Sequence, residues 1–418
     1  MTGADPAAAF RAAGAAARAG DIARAAALVA PVAGDLPVPQ RAEAHGLIGA
    51  AAFARGDFVG AAEAFAARAA LDPRPEAAFD HARAVQAGGD EAGALALMLP
   101  LLRRERPNAR WFLFAGLALR RLGREADALA VWSLGDRLDP ALRAAWSMRG
   151  VAGDVARASR EADAALRGAL SDLHREAARG VPRIEAAVWR QTHDGPLPPV
   201  GAARPHLFHV PGLPDRAWFD ALDWAPALEA KAGAIRAEVA AARGRAAHRP
   251  YVHGGARGPS WAALRGTDAW SSVHLYQDGA AREAERFPVT VAALADLPVV
   301  RLGGVPIEVF LSVLAPGTRI PPHHGVSNAR LTVHLPLVVP DGEAGIRVGE
   351  GTRRWREGYV LAFDDSVEHE AWNETNAERV VLIFEAWRPE LSRAERDAVT
   401  RSYAARTAWL EEARLPQA

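Results

Sequence analysis

Two histidines in the second half of the chain have the spacing and surroundings of a metal-binding pair. His323 and His369 stand 46 positions apart (369 − 323), each at the edge of a short β-rich run. Two histidines and one carboxylate can hold one face of Fe(II) and leave the other face open for chemistry. That carboxylate normally lies two residues after the first histidine, where this chain has Gly325. The pair therefore predicts a divalent-metal site without the usual carboxylate.

The composition excludes several other classes of site. The chain has 418 residues, 50 Lys plus Arg against 50 Asp plus Glu, and no cysteine. Balanced charge gives no indication of nucleic-acid or anionic-membrane binding. A chain without cysteine has no disulfides, no iron–sulfur cluster and no thiol nucleophile. No signal peptide or apolar run of membrane-spanning length is evident. We expect a cytoplasmic protein with two or more domains and no integral membrane segment. The sequence does not indicate an oligomeric state.

The first third of the chain contains a repeat. Turn glycines recur at intervals of 36, 33 and 34 residues, each followed five positions later by alanine and nine positions later by a larger apolar residue. The glycines are Gly20, Gly56, Gly89 and Gly123, the alanines are Ala25, Ala61, Ala94 and Ala128, and the larger residues are Val29, Phe65, Met98 and Trp132. This spacing resembles tetratricopeptide repeats, whose paired helices form a groove for peptides or proteins. An Ala-rich bundle with accidental periodicity is the alternative.

The last third changes to short alternating runs separated by Gly, Asp and Asn turns. The runs cover residues 305–314, 330–339, 345–349, 353–356, 359–363, 368–372 and 379–387. Short strands with tight turns are typical of a double-stranded β-helix, or jelly-roll. We therefore predict an α+β multidomain chain: a tetratricopeptide-like array over 5–150, a helical connector over 151–195 and a double-stranded β-helix domain over 196–418.

One run shows which face of the predicted barrel is polar. In residues 330–339 the apolar side chains alternate with Arg330, Thr332 and His334. A strand that is apolar outside and polar inside belongs in a wall that encloses a polar ligand. We expect these three side chains to face the interior.

The residues around both histidines form a dense set of motifs. They occupy positions 322–331, 334–335, 346–348, 355–358, 363–366, 368–373, 379 and 387–391. Together these motifs resemble the aspartyl/asparaginyl β-hydroxylase family, which are Fe(II)- and 2-oxoglutarate-dependent oxygenases on a double-stranded β-helix. The resemblance spans roughly residues 200–395. Members of this family with tetratricopeptide-like repeats before the oxygenase domain fit the whole predicted architecture.

The resemblance assigns roles by position. His323 and His369 match the two metal-binding histidines. Ser312 and Arg379 match the pair that holds the distal carboxylate of 2-oxoglutarate, and Arg offers a planar fork of donors that suits a carboxylate. His334 matches a residue near the other carboxylate of that cofactor.

Other positions bear on the metal and the substrate. The family likewise lacks the acidic ligand at the position of Gly325, so water would fill it. Arg330 is a candidate substrate contact, whereas Thr332 departs from the basic residue found there in animal members. Asp364 and Asp365 could replace the missing ligand, but an Asp-Asp-Ser run more often forms a turn whose side chains bond the backbone.

The resemblance implies hydroxylation of an unactivated carbon with O2 as co-substrate and release of succinate and CO2. The implied target is the β-carbon of Asp or Asn in a peptide or protein, which the repeats could recruit. Three alternatives stay open: a hydroxylase of lipid-linked acyl chains (lipid A or ornithine-lipid type), a halogenase, and a non-enzymatic repeat scaffold. In the scaffold, a cupin-like domain would bind zinc through His323, His334 and His369.

Overall fold

The computed structural model describes residues 5–242, 248–252 and 258–417. The chain divides into two compact units. The first, here called the helical unit, comprises Met1–Ala169 with Ala408–Ala418, and the second, the sheet unit, comprises Leu170–Thr407. This helix-rich N-terminal part and β-rich C-terminal part confirm the predicted α+β layout. The division at residue 169 falls inside the segment predicted as a connector.

The helical unit is a series of antiparallel helix pairs. Its helices are α1 (Pro6–Arg18), α2 (Ile22–Val29), α3 (Val38–Ala54), α4 (Phe58–Leu71), α5 (Pro75–Ala87), α6 (Glu91–Leu102), α7 (Ala109–Arg121), α8 (Glu125–Leu138), α9 (Ala141–Ala144) and α10 (Gly153–Ala178), whose last residues lie in the sheet unit. Asp21, Asp57 and Asp90 cap the second helix of the first three pairs, each accepting a hydrogen bond from the backbone N–H three residues later. Such caps satisfy amide groups that a helix start leaves unbonded.

The repeating glycines and alanines occupy equivalent places in these pairs. Each of the four glycines lies in the turn inside a pair with φ between 74° and 94°, a conformation that glycine adopts at low cost. The four following alanines are fully buried. In the fourth pair Gly116 makes room for Trp132, because a Cβ there would lie 2.3 Å from the indole nitrogen. The identification of these pairs as tetratricopeptide repeats stays a prediction.

The sheet unit consists of short strands and a few helices. The helices are α11 (Pro182–Glu185), α12 (Ala225–Glu229), α13 (Ala232–Ala242), α14 (Pro288–Leu294) and α15 (Arg393–Glu412), whose last residues lie in the helical unit. The strands are β1 (Val188–Trp189), β2 (Phe208–His209), β3 (Arg249–Pro250), β4 (Trp270–Gln277), β5 (Ala280–Ala281), β6 (Arg301–Leu302), β7 (Val305–Pro306), β8 (Glu308–Leu314), β9 (Thr318–His323), β10 (Arg330–Val338), β11 (Ala344–Val348), β12 (Gly351–Arg354), β13 (Leu361–Phe363), β14 (His369–Asn373) and β15 (Arg379–Trp387).

Two antiparallel sheets contain most of these strands. The larger has the order β13-β10-β15-β8-β4-β3, with β5 beside β4, and the smaller has the order β12-β11-β14-β9. A buried cluster joins side chains of both sheets, among them Phe310, Ile346, Ala371 and Ile383. Two sheets over a shared core are the layering that the predicted double-stranded β-helix requires. That finer assignment stays a prediction.

The opposite face of the larger sheet is covered by helices. Leu331, Val333, Leu335 and Leu337 of β10 are buried against residues of α12, α13 and α14. The alternating residues of β10 consequently face the space between the sheets, as predicted from the sequence.

Two longer strands, β4 and β9, were not among the predicted runs, and neither were the two-residue strands β1, β2, β3, β5 and β6. β9 contains Pro321 and Pro322, which argue against a strand, but β9 is an edge strand of the smaller sheet, where proline is tolerated. β4 lies between β8 and β3, and its alternation of Val273 and Leu275 with Ser272 and His274 was the available signal. The prediction overlooked it.

Candidate active site

The register of the smaller sheet brings the two histidines together. His323 ends β9 and His369 begins β14, and the two are direct cross-strand partners. Their ring centroids are 4.0 Å apart and the rings are inclined by 51°. The structure thus places side by side the two residues that the sequence predicts as metal ligands.

The backbone sets the tautomer of both rings. The Nδ1 atoms lie 2.8 Å from the carbonyl oxygen of Pro321 for His323 and 3.0 Å from that of Val367 for His369. A carbonyl oxygen only accepts, so Nδ1 carries the proton and Nε2 is the basic nitrogen of each ring. Burial lowers the pKa of His369 to about 4. A neutral imidazole of fixed orientation is the form that binds a metal.

Gly325 is required by the approach of Asp365. A Cβ on Gly325 would lie 2.1 Å from the Asp365 carboxyl carbon, and the Gly325 N–H donates to the Asp365 carbonyl oxygen at 2.6 Å. The Thr332 hydroxyl donates to the Asp365 carboxylate. Burial raises the pKa of this carboxyl group, and Arg330 opposes the rise. The space next to Gly325 therefore contains a carboxylate from another part of the chain.

Asp364 has a structural role. Its carboxylate accepts from Arg388 at 2.7 Å and from the backbone and hydroxyl of Ser366 at 3.0 and 2.5 Å. Burial raises its pKa to about 6, although the Ser366 and Arg388 contacts oppose the rise. This agrees with the interpretation of Asp364 as a turn residue. Among the described residues, no group of three or more His, Asp or Glu is arranged to hold a metal ion. Neither Asp364 nor Asp365 completes a three-ligand set there, nor does His334.

Arg379 is a buried cation that pairs with no carboxylate among the described residues. It is 1% exposed, and its Nη2 lies 3.4 Å from Ser312 Oγ, which also accepts from Trp270 Nε1 at 3.0 Å. Its Nε and Nη1 make no hydrogen bond within the described part of the chain. The guanidinium lies 4.7 Å from the Trp355 ring centroid. Burial lowers its pKa to about 9, since no carboxylate compensates the charge. A bound anion would compensate the buried charge of Arg379.

His334 also lines this cavity, where its neutral ring can act as a hydrogen-bond donor. Trp355 Nε1 donates to His334 Nδ1 at 3.2 Å, so the proton is on Nε2. Burial, with Arg379 and His369 nearby, lowers the His334 pKa well below its usual value. The cavity is lined by all five residues that the sequence assigns to metal and cofactor: Ser312, His323, His334, His369 and Arg379.

Arg330, the predicted substrate contact, lines an adjoining outer part of this space. It is 8% exposed and its Nη1 lies 2.7 Å from Glu385 Oε2. Burial opposes the charge of Arg330, but Glu385, Tyr403, Asp365 and Glu308 together outweigh burial, and the pKa of Arg330 is raised. The sequence analysis missed Glu385, and also Trp270 and Trp355, which hold Ser312 and His334. For Glu385 the available signal was an acidic residue inside the apolar run 379–387; its position opposite Thr332 depends on strand register.

The comparisons with known proteins agree on the class. Residues 229–389, which include every site residue named above, match the family model described as Aspartyl/Asparaginyl beta-hydroxylase. This part of the chain is a domain of the aspartyl/asparaginyl β-hydroxylase family, and the resemblance predicted from the motifs is confirmed.

Individual relatives cover the same region. The chain is 38% identical over 138 residues to the aspartyl/asparaginyl beta-hydroxylases of Mus musculus and Homo sapiens, which is 32% of this chain and 18% of each relative. It is 37% identical over 124 residues to the ornithine lipid ester-linked acyl 2-hydroxylase of Rhizobium tropici, which is 29% of this chain and 42% of that protein. The chain thus spans less than half the length of these relatives. Among the described residues, no helix has the length and apolar character needed to cross a membrane.

Proposed function

We propose that this chain is an Fe(II)- and 2-oxoglutarate-dependent dioxygenase that hydroxylates an unactivated carbon. The assignment of this domain to a hydroxylase family rests on the match of residues 229–389 to the family model. The observation that carries the iron and 2-oxoglutarate assignment is the buried guanidinium of Arg379 in one cavity with the histidine pair. Two of its donor nitrogens find no acceptor among the described residues.

The metal end of the cavity suits a divalent cation. His323 and His369 present rings whose Nδ1 atoms contact the Pro321 and Val367 carbonyl oxygens, which leaves Nε2 of each ring to face a metal. Two protein ligands leave more of the metal's coordination open than three do. The Asp365 carboxylate lies beside Gly325, where other oxygenases have their acidic ligand. It can accept a hydrogen bond from whatever ligand takes the place of that acid on the metal.

The opposite end suits a dicarboxylate. Arg379 can donate two parallel hydrogen bonds to one carboxylate, and the Ser312 hydroxyl can add a third. His334 offers its Nε2–H to a second acceptor closer to the histidine pair. Because Arg379 is buried without an acid, an anionic ligand would satisfy a charge that is otherwise costly to bury.

The role of the chain is mainly to position ligands and exclude water. Bound iron with 2-oxoglutarate and O2 would supply the oxidising chemistry, with succinate and CO2 released. Ser312 and Arg379 orient the cofactor at one end, and the histidine pair fixes the metal at the other. The apolar walls, among them Phe310, Ile346 and Phe363, keep the space between dry.

For the substrate, we propose a residue of a peptide or protein, and the helical unit as the region that recruits it. The names of the mammalian relatives specify Asp and Asn, and the β-carbon of such a residue is the starting hypothesis for this chain. A lipid-linked acyl chain is the second candidate, because one relative is named as an ornithine-lipid acyl 2-hydroxylase.

One experiment tests both the cofactors and the substrate class. The full chain is incubated with Fe(II), 2-oxoglutarate and either a peptide library or an ornithine-lipid extract. Succinate and the mass gain of one oxygen atom are then measured. We expect succinate that depends on both Fe(II) and 2-oxoglutarate, with oxygen added to a peptide. Oxygen added only to the lipid would favour the second candidate, and the absence of 2-oxoglutarate binding would refute the proposal.

A further inference from the structure

The outer part of the cavity has an excess of carboxylates. Glu308, Asp365 and Glu385 line it, together with the exposed Asp278. Arg330 is the one Arg or Lys among the described residues that line this part. If all four acids and the guanidinium were charged, negative charge would prevail. Buried charge of one sign needs a partner of the other.

Arg330 is already neutralised within the protein. Its Nη1 lies 2.7 Å from Glu385 Oε2, and the two side chains are 10% and 11% exposed. Burial raises the pKa of Glu385 to about 8; Arg330 opposes this rise, whereas Glu308 and Asp365 add to it. A substrate carboxylate entering here would compete with Glu385 for one guanidinium and would be repelled by the remaining acids.

Two of the four unsatisfied side-chain atoms of this region are carboxylate oxygens. Asp365 Oδ1 and Glu385 Oε2 are buried and make no hydrogen bond of ordinary geometry within the described residues. Glu385 Oε2 has only the ion-pair contact with Arg330. The other two atoms are Arg330 Nε, a donor, and Tyr403 Oη, which can donate or accept. A ligand that satisfies these atoms carries N–H donors for the two carboxylates. It also carries one neutral acceptor, such as a peptide carbonyl, for Arg330.

We propose that the substrate residue accepted here carries a cationic N–H group, an ammonium or guanidinium, and that Glu385 determines this specificity. The inference rests on the proposed function, because it assigns the substrate class of the same cavity. It departs from the Asp or Asn expectation most strongly for Asp, because Arg330, the one Arg or Lys of the described lining, is already paired with Glu385. A cation between Glu308, Asp365 and Glu385 would compensate their charge at short range.

The first test compares three small probes. Binding of N-acetyl-arginine amide, N-acetyl-asparagine amide and N-acetyl-aspartate amide to the full chain is measured by calorimetry, with Mn(II) and 2-oxoglutarate present and again without them. We expect the arginine probe to bind at least about tenfold more tightly than the aspartate probe, a difference of about 1.4 kcal/mol. Equal affinities, tighter binding of either other probe, or no binding of all three would overturn the inference.

A variant then tests the role of Glu385. The titrations are run at pH 8.5, above the pKa of about 8 to which burial raises Glu385. There Glu385→Gln keeps the shape and removes the charge, so the arginine probe should bind about tenfold more weakly and the aspartate probe more tightly, since Arg330 is released. Glu343→Gln is the matched control, because Glu343 pairs with Arg354 in an exposed ion pair, and both affinities should stay unchanged. Unchanged probe preference in folded Glu385→Gln would overturn the assignment.

Two further measurements keep the test decisive. If Glu385→Gln fails to fold, Glu308→Gln is used, and it should reduce the arginine preference by a smaller factor; an undiminished preference would count against the inference. Binding of Mn(II) and 2-oxoglutarate without any probe is measured separately. Its absence refutes the proposed function, whereas its presence with an aspartate-preferring protein refutes the substrate class alone.

Discussion

The two units of the chain treat buried polar groups in opposite ways. In the helical unit, Arg83 is buried but donates to Asp154 at 2.7 Å and to Gln86 at 2.6 Å. Among its described residues, Ser133 Oγ is the one buried side-chain polar atom without a hydrogen-bond partner. Among the described residues of the sheet unit, six of the ten such atoms belong to residues that line one cavity: Arg330, Asp365, Arg379, Glu385 and Tyr403. The other four belong to Arg190, His209, Trp218 and Arg396.

This difference distinguishes buried charges that stabilise the fold from buried charges that indicate a binding site. Among the described residues of the helical unit, buried Arg83 is paired within the unit. In the described part of the sheet unit, charged groups such as Arg379 are buried without a compensating partner, a cost that a bound anion, metal or substrate would relieve. Functional sites commonly break the rule that buried polar groups have hydrogen-bond partners within the protein. The distribution of unsatisfied atoms therefore locates the site independently of any motif.

The largest effect is expected for the histidine pair. His323→Ala or His369→Ala should abolish metal binding and turnover, because each removes half of the protein ligands. Metal binding is measured by calorimetry with Fe(II) or Mn(II). The matched control is His324→Ala, which leaves the pair intact and should still bind metal. Full activity in either ligand variant would refute the metal assignment.

The second prediction applies the same substitution to both units. Arg379→Met should weaken 2-oxoglutarate binding by about two to four orders of magnitude, since a buried charge pair that loses one partner costs about 3–5 kcal/mol. Without 2-oxoglutarate the same variant should have a higher Tm, because it removes an uncompensated charge. Arg83→Met should lower the Tm, because it strands Asp154.

Calorimetric 2-oxoglutarate titrations and thermal unfolding distinguish these outcomes. Ser312→Ala should weaken 2-oxoglutarate binding less, by about 0.5–1.5 kcal/mol, because it removes one neutral hydrogen bond. If Arg379→Met and Arg83→Met changed the Tm in the same direction, the contrast between the units would not hold.

The third prediction compares two glycines. Gly325→Ala should lower the free energy of unfolding by about 1–3 kcal/mol and reduce turnover, because the new Cβ collides with Asp365. Gly168→Ala in α10 has open space and should raise stability by up to about 1 kcal/mol. Gly325→Asp should not raise turnover above the parent, although it restores the usual carboxylate. Denaturant unfolding and succinate assays measure these effects.

The fourth prediction separates the units physically. Residues 170–407 alone should keep metal and 2-oxoglutarate binding but show a higher KM for a protein substrate, with kcat largely preserved. The sequence suggests a start near residue 200, but Ile184 and Trp189 are buried in a core with Ala398 and Val399 of α15. A fragment beginning at residue 196 should therefore be less stable. Equal KM values for full chain and fragment would argue against substrate recruitment by the helical unit.

The smallest effect concerns pH. The Glu385 pKa is about 8 in the folded protein and about 4.5 when unfolded, so the folded state binds the proton more tightly. This contribution to stability is complete below about pH 4.5 and is lost as pH rises towards 8. In thermal unfolding from pH 5.5 to 8.5, the parent should lose Tm relative to Glu385→Gln. Parallel curves would contradict the raised pKa.

The sequence predicted the parts of the site that lie within motifs. The histidine pair, Ser312 and Arg379 were assigned from local pattern and resemblance, and the polar face of β10 was found by alternation. The Arg330–Glu385 pair and the contact of Gly325 with Asp365 join residues that are 55 (385 − 330) and 40 (365 − 325) positions apart. Both depend on strand register and loop packing, which the separate runs do not specify.

The orientation of the two histidines has a consequence for how this site can change. Each ring is held by a carbonyl group two residues earlier in the chain, and every residue type supplies a carbonyl. No single side-chain substitution removes these acceptors. Residues such as Glu385 and Thr332 can therefore be exchanged without loss of those acceptors. Side chains that line the cavity can therefore change during evolution while the orientation of the histidine pair is kept.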